Sequence, residues 1–287
     1  MLAFNAEVEN QLIRKFSSRT VEQISAKMEK YQTSIQKFVA ENGYISLAQF
    51  LVARNFPLLN PTDSGETLLH YAVQTPGNIN MVRWVLEQNL SLSDKNELQW
   101  NVFHYLACFC RDEIILDLIF EQNFSSKDLF AYDINDEQPL IIALKTDNHL
   151  FLNRALSKLK SHIDAQESLY LWNLTKDQNN LMHLIVHYNA VHCADLCRKD
   201  PELQSMLNIP NSQGKLPLQL PQAKEKMDAF LSLQGWKNER VFSLMWQATK
   251  ELKKAGIANN LMSEYIDPIE KEQKEKDAFL KGCRSSG

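Results

Sequence analysis

Five side chains able to bind a metal crowd into fifteen residues of this sequence: His183, His187, His192, Cys193 and Cys197. A structural zinc ion needs four nitrogen or sulfur ligands converging tetrahedrally, so what matters is whether the elements carrying these residues bring them to one point. Two further cysteines, Cys108 and Cys110, could supply a thiolate nucleophile if a base or a positive charge stood beside them. The paired acids Asp136/Glu137 and Asp112/Glu113 could serve acid–base chemistry if they were desolvated, yet both pairs fall in expected turns, where water reaches them. No G-x-S-x-G, phosphate-loop, kinase or H-E-x-x-H pattern occurs.

The elements that would position these groups follow from an internal repeat. The segments at 65–73 (GETLLHYAV), 99–107 (QWNVFHYLA), 136–144 (DEQPLIIAL), 178–186 (QNNLMHLIV) and 214–222 (GKLPLQLPQ) share polar turn residues, a capping-type residue and an apolar run. Their equivalent positions His70, His104, Ile141, His183 and Gln219 are 34, 37, 42 and 36 residues apart. Such a period marks a solenoid of supersecondary units, each too small to hide its own apolar face. A second apolar helix follows each of the five, in MVRWVLEQN, IILDLIFEQN, FLNRALSKL, CADLCRK and MDAFLSLQ. Thr67, Asn101, Gln138 and Asn180 precede the first helix of four units and are expected to cap it, glutamine being the poorest cap. Pro139 and Pro217 stand at the first helical position, where a missing N–H costs nothing. In the fifth unit Pro221 interrupts the inner helix, so that unit is expected to be short or bent.

These segments resemble the ankyrin repeat, whose pattern is D-x-x-G-x-T-P-L-H followed by a short helix, a turn and a longer helix. Gly65-Glu66-Thr67-Leu68-Leu69-His70-Tyr71-Ala72 carries the match most clearly, and in the third unit Asp133, Pro139, Leu140, Ala143 and Leu156 fall in register. Glycine stands at the fourth turn position only as Gly65 and Gly214, with Gln99, Asp136 and Gln178 replacing it elsewhere. The resemblance spans roughly residues 60–234 and implies an all-α, ankyrin-like helical solenoid of about five units. In that register His183 is the motif histidine, His187 lies on an inner helix, and Cys193 and Cys197 face the core of an outer helix. The five groups therefore point apart, and neither a metal nor a cofactor is expected.

Residues 1–59 lack the motif and read as an N-terminal helical cap. The apolar spacing of Val21, Ile24, Met28, Tyr31, Ile35 and Phe38 predicts one helix from Val21 to Ala40, stopped by Asn42-Gly43. Leu47, Phe50, Leu51 and Phe56 before Pro57 read as the outer helix of a half-repeat. Residues 235–287 read as a C-terminal cap helix, Asn238 to Ala255, followed by a Lys/Glu-rich tail, Asp267 to Lys281. That tail looks like the glutamate-rich C-terminal signals of bacterial type IV secretion substrates, which implies an effector delivered into a host cell. The 42-residue step holds an insertion at 160–174 with Ile163, Leu169, Leu171 and Trp172.

Composition narrows the function. Of 287 residues 44% are hydrophobic and 23% charged, proportions that support a folded core. A formal charge of −4 lacks the broad basic face that phosphate-backbone binding requires, so no nucleic-acid partner is expected. No window approaches the ~18 consecutive apolar residues of a membrane span. Five cysteines among apolar residues, and an N-terminus without the basic start and apolar run of a secretory leader, point to a reducing, cytoplasmic compartment.

The reading is a non-catalytic, monomeric module that binds a partner protein through its concave face. By the register of the resemblance, the finger tips supply Glu97, Leu98, Trp100, Ile134, Asn135, Glu137, Lys176, Asp177 and Asn179. The inner helices supply Cys108, Phe109, Lys145, Thr146, His187 and Tyr188. Trp100 or Phe109 could instead fill a groove between units, whereas Tyr71 and Tyr105 occupy an apolar core position. The competing reading is an enzyme of unrecognised type, with its chemistry in the 160–174 insertion or the helical flanks and the repeats selecting substrate.

Overall fold

The chain divides into two compact units, Met1–Ala229 and Phe230–Gly287. The computed structural model describes residues 2–30, 34–162 and 174–220, all of them in the first unit. Outside the described residues lie 163–173 of the insertion, Pro221, the second helix of the fifth unit, the Asn238–Ala255 helix and the tail.

The helices are α1 (Leu2–Ser17), α2 (Val21–Lys30), α3 (Ile35–Asn42), α4 (Ile45–Ala53), α5 (Leu68–Gln74), α6 (Ile79–Glu87), α7 (Val102–Phe109), α8 (Glu113–Phe120), α9 (Pro139–Lys145), α10 (His149–His162), α11 (Leu181–Tyr188), α12 (Val191–Cys197) and α13 (Pro201–Ser205). Short 3₁₀ turns cover Ser126–Phe130, Met206–Asn208 and Pro217–Gln219, and the described residues contain no strand. Two layers result. In the inner one α3, α5, α7, α9, α11 and the Pro217–Gln219 turn pack in succession. In the outer one α1, α4, α6, α8, α10 and α12 do the same. This is the all-α repeat solenoid expected from the period.

The two layers differ in sequence because they differ in neighbours. An inner helix is flanked on two sides and backed by the outer layer, so α7 buries Val102, Phe103, His104, Tyr105, Leu106 and Ala107 in one unbroken run. An outer helix keeps one face in water, so α6 buries only Met81, Val82, Trp84 and Val85. Between the layers, Phe120 of α8 packs its ring against Phe103 at 5.8 Å and against Phe151 of α10 at 5.5 Å.

The single helix expected over Val21–Ala40 is in fact two, α2 and α3. Ser34 adopts an extended conformation and its side chain accepts from the Lys37 backbone N–H, which starts a new helix at Ile35. Gly43, at φ 65°, ends that helix as anticipated. The next helix, α4, buries Leu47 and Leu51, and Phe56 beyond it is buried too. The pair α3/α4 thus stacks beneath α5/α6 in the same two-layer register. Helix α1 docks on α4 by exchanging caps: Glu9 accepts from the Leu47 N–H at 2.9 Å, and the Arg54 guanidinium donates to the carbonyls of Phe16 and Ser17.

Asparagines tie one unit to the next. Asn78, just before α6, donates to the Ala40 carbonyl of α3 at 2.7 Å. Asn148, before α10 and fully buried, donates toward the carbonyls of Leu106, Ala107 and Cys110 at 3.1, 3.0 and 2.9 Å. Its Oδ1 meanwhile accepts from the Phe151 N–H. The C-terminal ends of α3 and α7, which must satisfy free carbonyls, are therefore closed by residues of the following unit.

Candidate interaction surface

Five turns present the residues of interest, and all five are built alike. In each, the first side chain accepts from the backbone N–H four residues on: Thr62 from Glu66, Asn96 from Trp100, Asp133 from Glu137, Thr175 from Asn179 and Asn211 from Lys215. The fourth residue of each donates its N–H to the carbonyl of the first. That fourth residue is left-handed in every turn, with φ 83° at Gly65, 60° at Gln99, 59° at Asp136, 56° at Gln178 and 72° at Gly214. Three non-glycine residues thus hold a conformation that disfavours any Cβ. At Gly65 no alternative exists, because an added Cβ would lie 2.8 Å from the Asn96 Cα in the next turn.

Neighbouring turns are laced together. Glu97 N–H donates to the Ser64 carbonyl at 2.9 Å, Ile134 to Leu98 at 3.1 Å and Ser212 to Asp177 at 3.0 Å. Between the third and fourth turns, the described residues show an exposed ion pair, Lys176 with Asp136 at 3.1 Å. Glu66 adds a buried-edge network, its carboxylate accepting from Thr62, Ser64, Asn96 and Tyr105. Burial pushes its pKa up, but the hydrogen bonds from Ser64, its own backbone, Thr62 and Asn96 outweigh that and hold it below the usual range.

Behind the turns the motif histidines hold the inner helices. Nδ1 of His70, His104 and His183 accepts from the backbone N–H of Thr67, Asn101 and Asn180 at 2.9, 3.1 and 3.2 Å. The Nε2 of His183 lies 2.9 Å from the Lys215 carbonyl of the next turn. In the fifth unit Gln219 takes the histidine's role, accepting from the Leu216 N–H at 3.0 Å. Burial depresses His70 and His104 to about 4 and also lowers His183, so these rings are neutral at pH 7. The third unit is the exception. Ile141 carries no polar atom, Gln138 makes no side-chain cap, and its buried Oε1 has no partner.

The metal-type residues are dispersed. His183 is committed to Asn180 and Lys215, while His192 is exposed against Asp147 at 2.6 Å. His187 is exposed on α11, and Cys193 and Cys197 are buried on α12. Among the described residues no group of three or more His, Cys, Asp or Glu is placed to hold an ion. Burial raises the thiol pKa of Cys108, of Cys193 and Cys197, and of Cys110 to about 11, which leaves each as a neutral packing group. Of the acid pairs, Asp112 caps α8, Glu113 pairs with Arg154 and Glu137 pairs with Lys145.

The expected contact residues separate into two sets. Leu98, Phe109 and Ile134 stand out from the surface at 47, 47 and 58% exposure. Glu97, Asn135, Lys176 and Asp177 are exposed beside them in the turns, and Asn179 is half-buried, accepting from Asn211. Trp100 by contrast serves the stack: its indole N–H donates to Asp133 at 2.9 Å, and its ring lies 5.8 Å from His104 and 5.4 Å from Tyr105. Lys145 is shared between Glu137 and the Tyr188 ring, 5.7 Å away, with His187 edge-on to Tyr188. Thr146 and Cys108 are half-buried, the former bonded to the Ala107 carbonyl. Tyr105 is core, as the register requires, but Tyr71 is only half-buried, its hydroxyl bonded to the half-buried side chains of Ser34 and Thr62. Sequence reasoning passes over Asn78, Asn148, Glu9 and Arg54, although an asparagine just before an outer helix, twice, is a visible signal.

A family model for ankyrin repeats in three copies matches residues 3–96. Over those residues the chain is similar to ankyrin repeats. The match reaches well into residues 3–59, so repeat structure continues where the sequence lacks the motif, in agreement with the α3/α4 pair. One similar solved chain comes from the complex of a predatory endopeptidase from Bdellovibrio bacteriovorus with an immunity protein. It is 18% identical, at TM-score 0.51, over 71% of this chain and 98% of that one. Another is an ankyrin repeat domain from Acinetobacter baumannii AYE, 14% identical at TM-score 0.50, over 69% of this chain and 94% of that one. At these identities the likeness is one of fold. No curated protein matches the sequence.

Proposed function

We propose that this protein is a non-catalytic, monomeric binding module that grips a partner protein along the finger turns and inner-helix ends of its second to fourth repeats. Ankyrin repeats are protein-interaction modules, and the observation that carries the reading here is local. Only five large apolar residues among those described are exposed, and three of them, Leu98, Phe109 and Ile134, lie at these positions. Exposed apolar side chains on a rigid support are what an interface core is made from. The boundaries proposed with it are a helical cap over 1–59 that ends in the repeat-like α3/α4 pair, about five motif-bearing repeats over 60–234, and a cap with a charged tail over 235–287. A protein captured by the intact chain and lost by a Phe109→Ala/Ile134→Ala variant of equal thermal stability supports this reading. Equal retention by both moves the site elsewhere.

We also propose, from the glutamates Glu270, Glu272 and Glu275 of the tail, that the protein is delivered from a bacterial cytoplasm into a host cell, where its partner resides. Removing residues 267–287 should abolish translocation while leaving the melting temperature unchanged. Unimpaired delivery of the shortened chain would end that part of the proposal.

A further inference from the structure

The charge of this protein is concentrated in its turns. The five turns 62–66, 96–100, 133–137, 175–179 and 211–215 hold seven carboxylates, from Asp63 to Asp177, against two lysines, Lys176 and Lys215. Their balance of −5 exceeds the −4 of all 287 residues, so the remainder of the chain is close to neutral. Some of these acids are used internally: Glu66 and Asp133 accept hydrogen bonds, Glu137 is paired with Lys145, and Asp136 is paired with Lys176. Asp63, Glu97 and Asp177 are exposed and unpaired among the described residues.

Their placement brackets the apolar patch. Leu98 and Ile134 sit on adjacent turns joined by the Ile134 N–H to Leu98 carbonyl bond at 3.1 Å. On one side Asp63 and Glu97 belong to turns joined through the Glu97 N–H and the Ser64 carbonyl. On the other side comes the fourth turn with Asp177. Resting on the binding role proposed above, we infer that the occupant of this ridge is an extended protein segment with a bulky apolar residue between two clusters of lysine or arginine. The apolar residue covers Leu98 and Ile134, and the flanking cations face Asp63 and Glu97 at one end and Asp177 at the other. An unpaired carboxylate row favours cationic partners at encounter and penalises acidic ones, while the desolvated apolar centre supplies the hold.

The test uses the full chain to select from a random twelve-residue peptide library at low salt, without reference to any natural partner. Enriched peptides should carry Lys or Arg on both sides of Leu, Ile, Phe or Trp. Their affinity should fall at least about tenfold between 50 and 500 mM salt, as screening of exposed charges demands. A Leu98→Asp/Ile134→Asp variant should lose these peptides, and an Asp63→Lys/Glu97→Lys/Asp177→Lys variant should invert the preference toward acidic flanks. All five substitutions lie in exposed turn positions, so circular dichroism melts should match the parent. Acidic or uncharged peptides enriched on the same ridge would overturn the inference while leaving the binding role intact. Basic–apolar peptides that bind the Leu98→Asp/Ile134→Asp variant as well as the parent would place the surface elsewhere and overturn both. Selection that enriches nothing also counts against the inference.

Discussion

The first and third repeats have the same backbone and reach it by different means. In the first, Gly65 takes the left-handed position at φ 83° without strain, and Thr67 and His70 close a capping box. In the third, Asp136 is forced into the same region at φ 59°, Gln138 supplies no cap, and Ile141 stands where the histidine would. What the third unit has instead is apolar packing: Pro139, Leu140, Ile141, Ile142, Ala143 and Leu144 are all buried. The contrast teaches that the turn is dictated by its first residue and by its neighbours. Asp133 Oδ1 holds the Asn135 and Glu137 N–H groups at 2.8 Å each, which suffices to impose the conformation on a residue that disfavours it.

The sharpest way to break the comparison is Gly65→Ala. The added methyl meets backbone at 2.8 Å and the residue must keep a positive φ, so a loss of about 3 kcal/mol is expected from steric and conformational costs together. Gly214→Ala is the control, since nothing lies within 4 Å of its Cβ and only the conformational cost of about 1 kcal/mol applies. Urea-unfolding midpoints read both. If the two alanine variants lose the same stability, the close approach to Asn96 has no energetic consequence.

Acid separates the units next. His70 and His104 ionise near 6.5 when unfolded but only at about 4 when folded, because burial disfavours the charged ring. The unfolded chain therefore binds more protons in that window, and stability is fully present above about pH 6.5 and falls as pH drops toward 4, by up to ~1.4 kcal/mol per pH unit for each ring. A His70→Gln/His104→Gln variant, which copies the Gln219 arrangement of the fifth unit, should flatten this slope when stability is followed from pH 7 to 4.5. A slope that persists unchanged would move the acid sensitivity to other groups.

The smallest effect sharpens the comparison from the other side. Asp136→Gly should raise stability by about 0.5 kcal/mol, relief of the left-handed Cβ outweighing the exposed pair with Lys176. Thermal melts of Asp136→Gly and of the parent at moderate salt measure it. A loss would show that the surface pair carries more than solvent screening permits.

The architecture is legible in the sequence because the period, the caps and the register reinforce one another over five units. Even the replaced glycines fall in register, and Gln99, Asp136 and Gln178 all take positive φ. What the register does not convey is competition for a side chain. It marks Trp100 as a surface anchor, but an acceptor on the next turn, Asp133, captures its indole. The break between α2 and α3 is hidden because the apolar spacing runs on across Ser34, whose hydroxyl starts the second helix. The α3/α4 repeat reads only as a half-repeat because it has neither the histidine nor the turn glycine by which the others are found, only the two-layer packing. Leu98, Phe109 and Ile134 are exposed at positions that the register assigns to finger tips and an inner helix.

Repeat arrays are commonly treated as strings of interchangeable cassettes, shortened or lengthened by whole units. Asn148 sets a limit on that treatment in this chain. Its amide closes three carbonyls at the end of α7 while its oxygen opens α10, so one side chain belongs to two repeats at once. A cut between the second and third repeats would leave one half with an unsealed helix end and the other with the Asn148 amide turned to water, its hydrogen bonds to Leu106, Ala107 and Cys110 lost. Any minimal fragment or grafted version of this protein therefore has to carry α7 and α10 together.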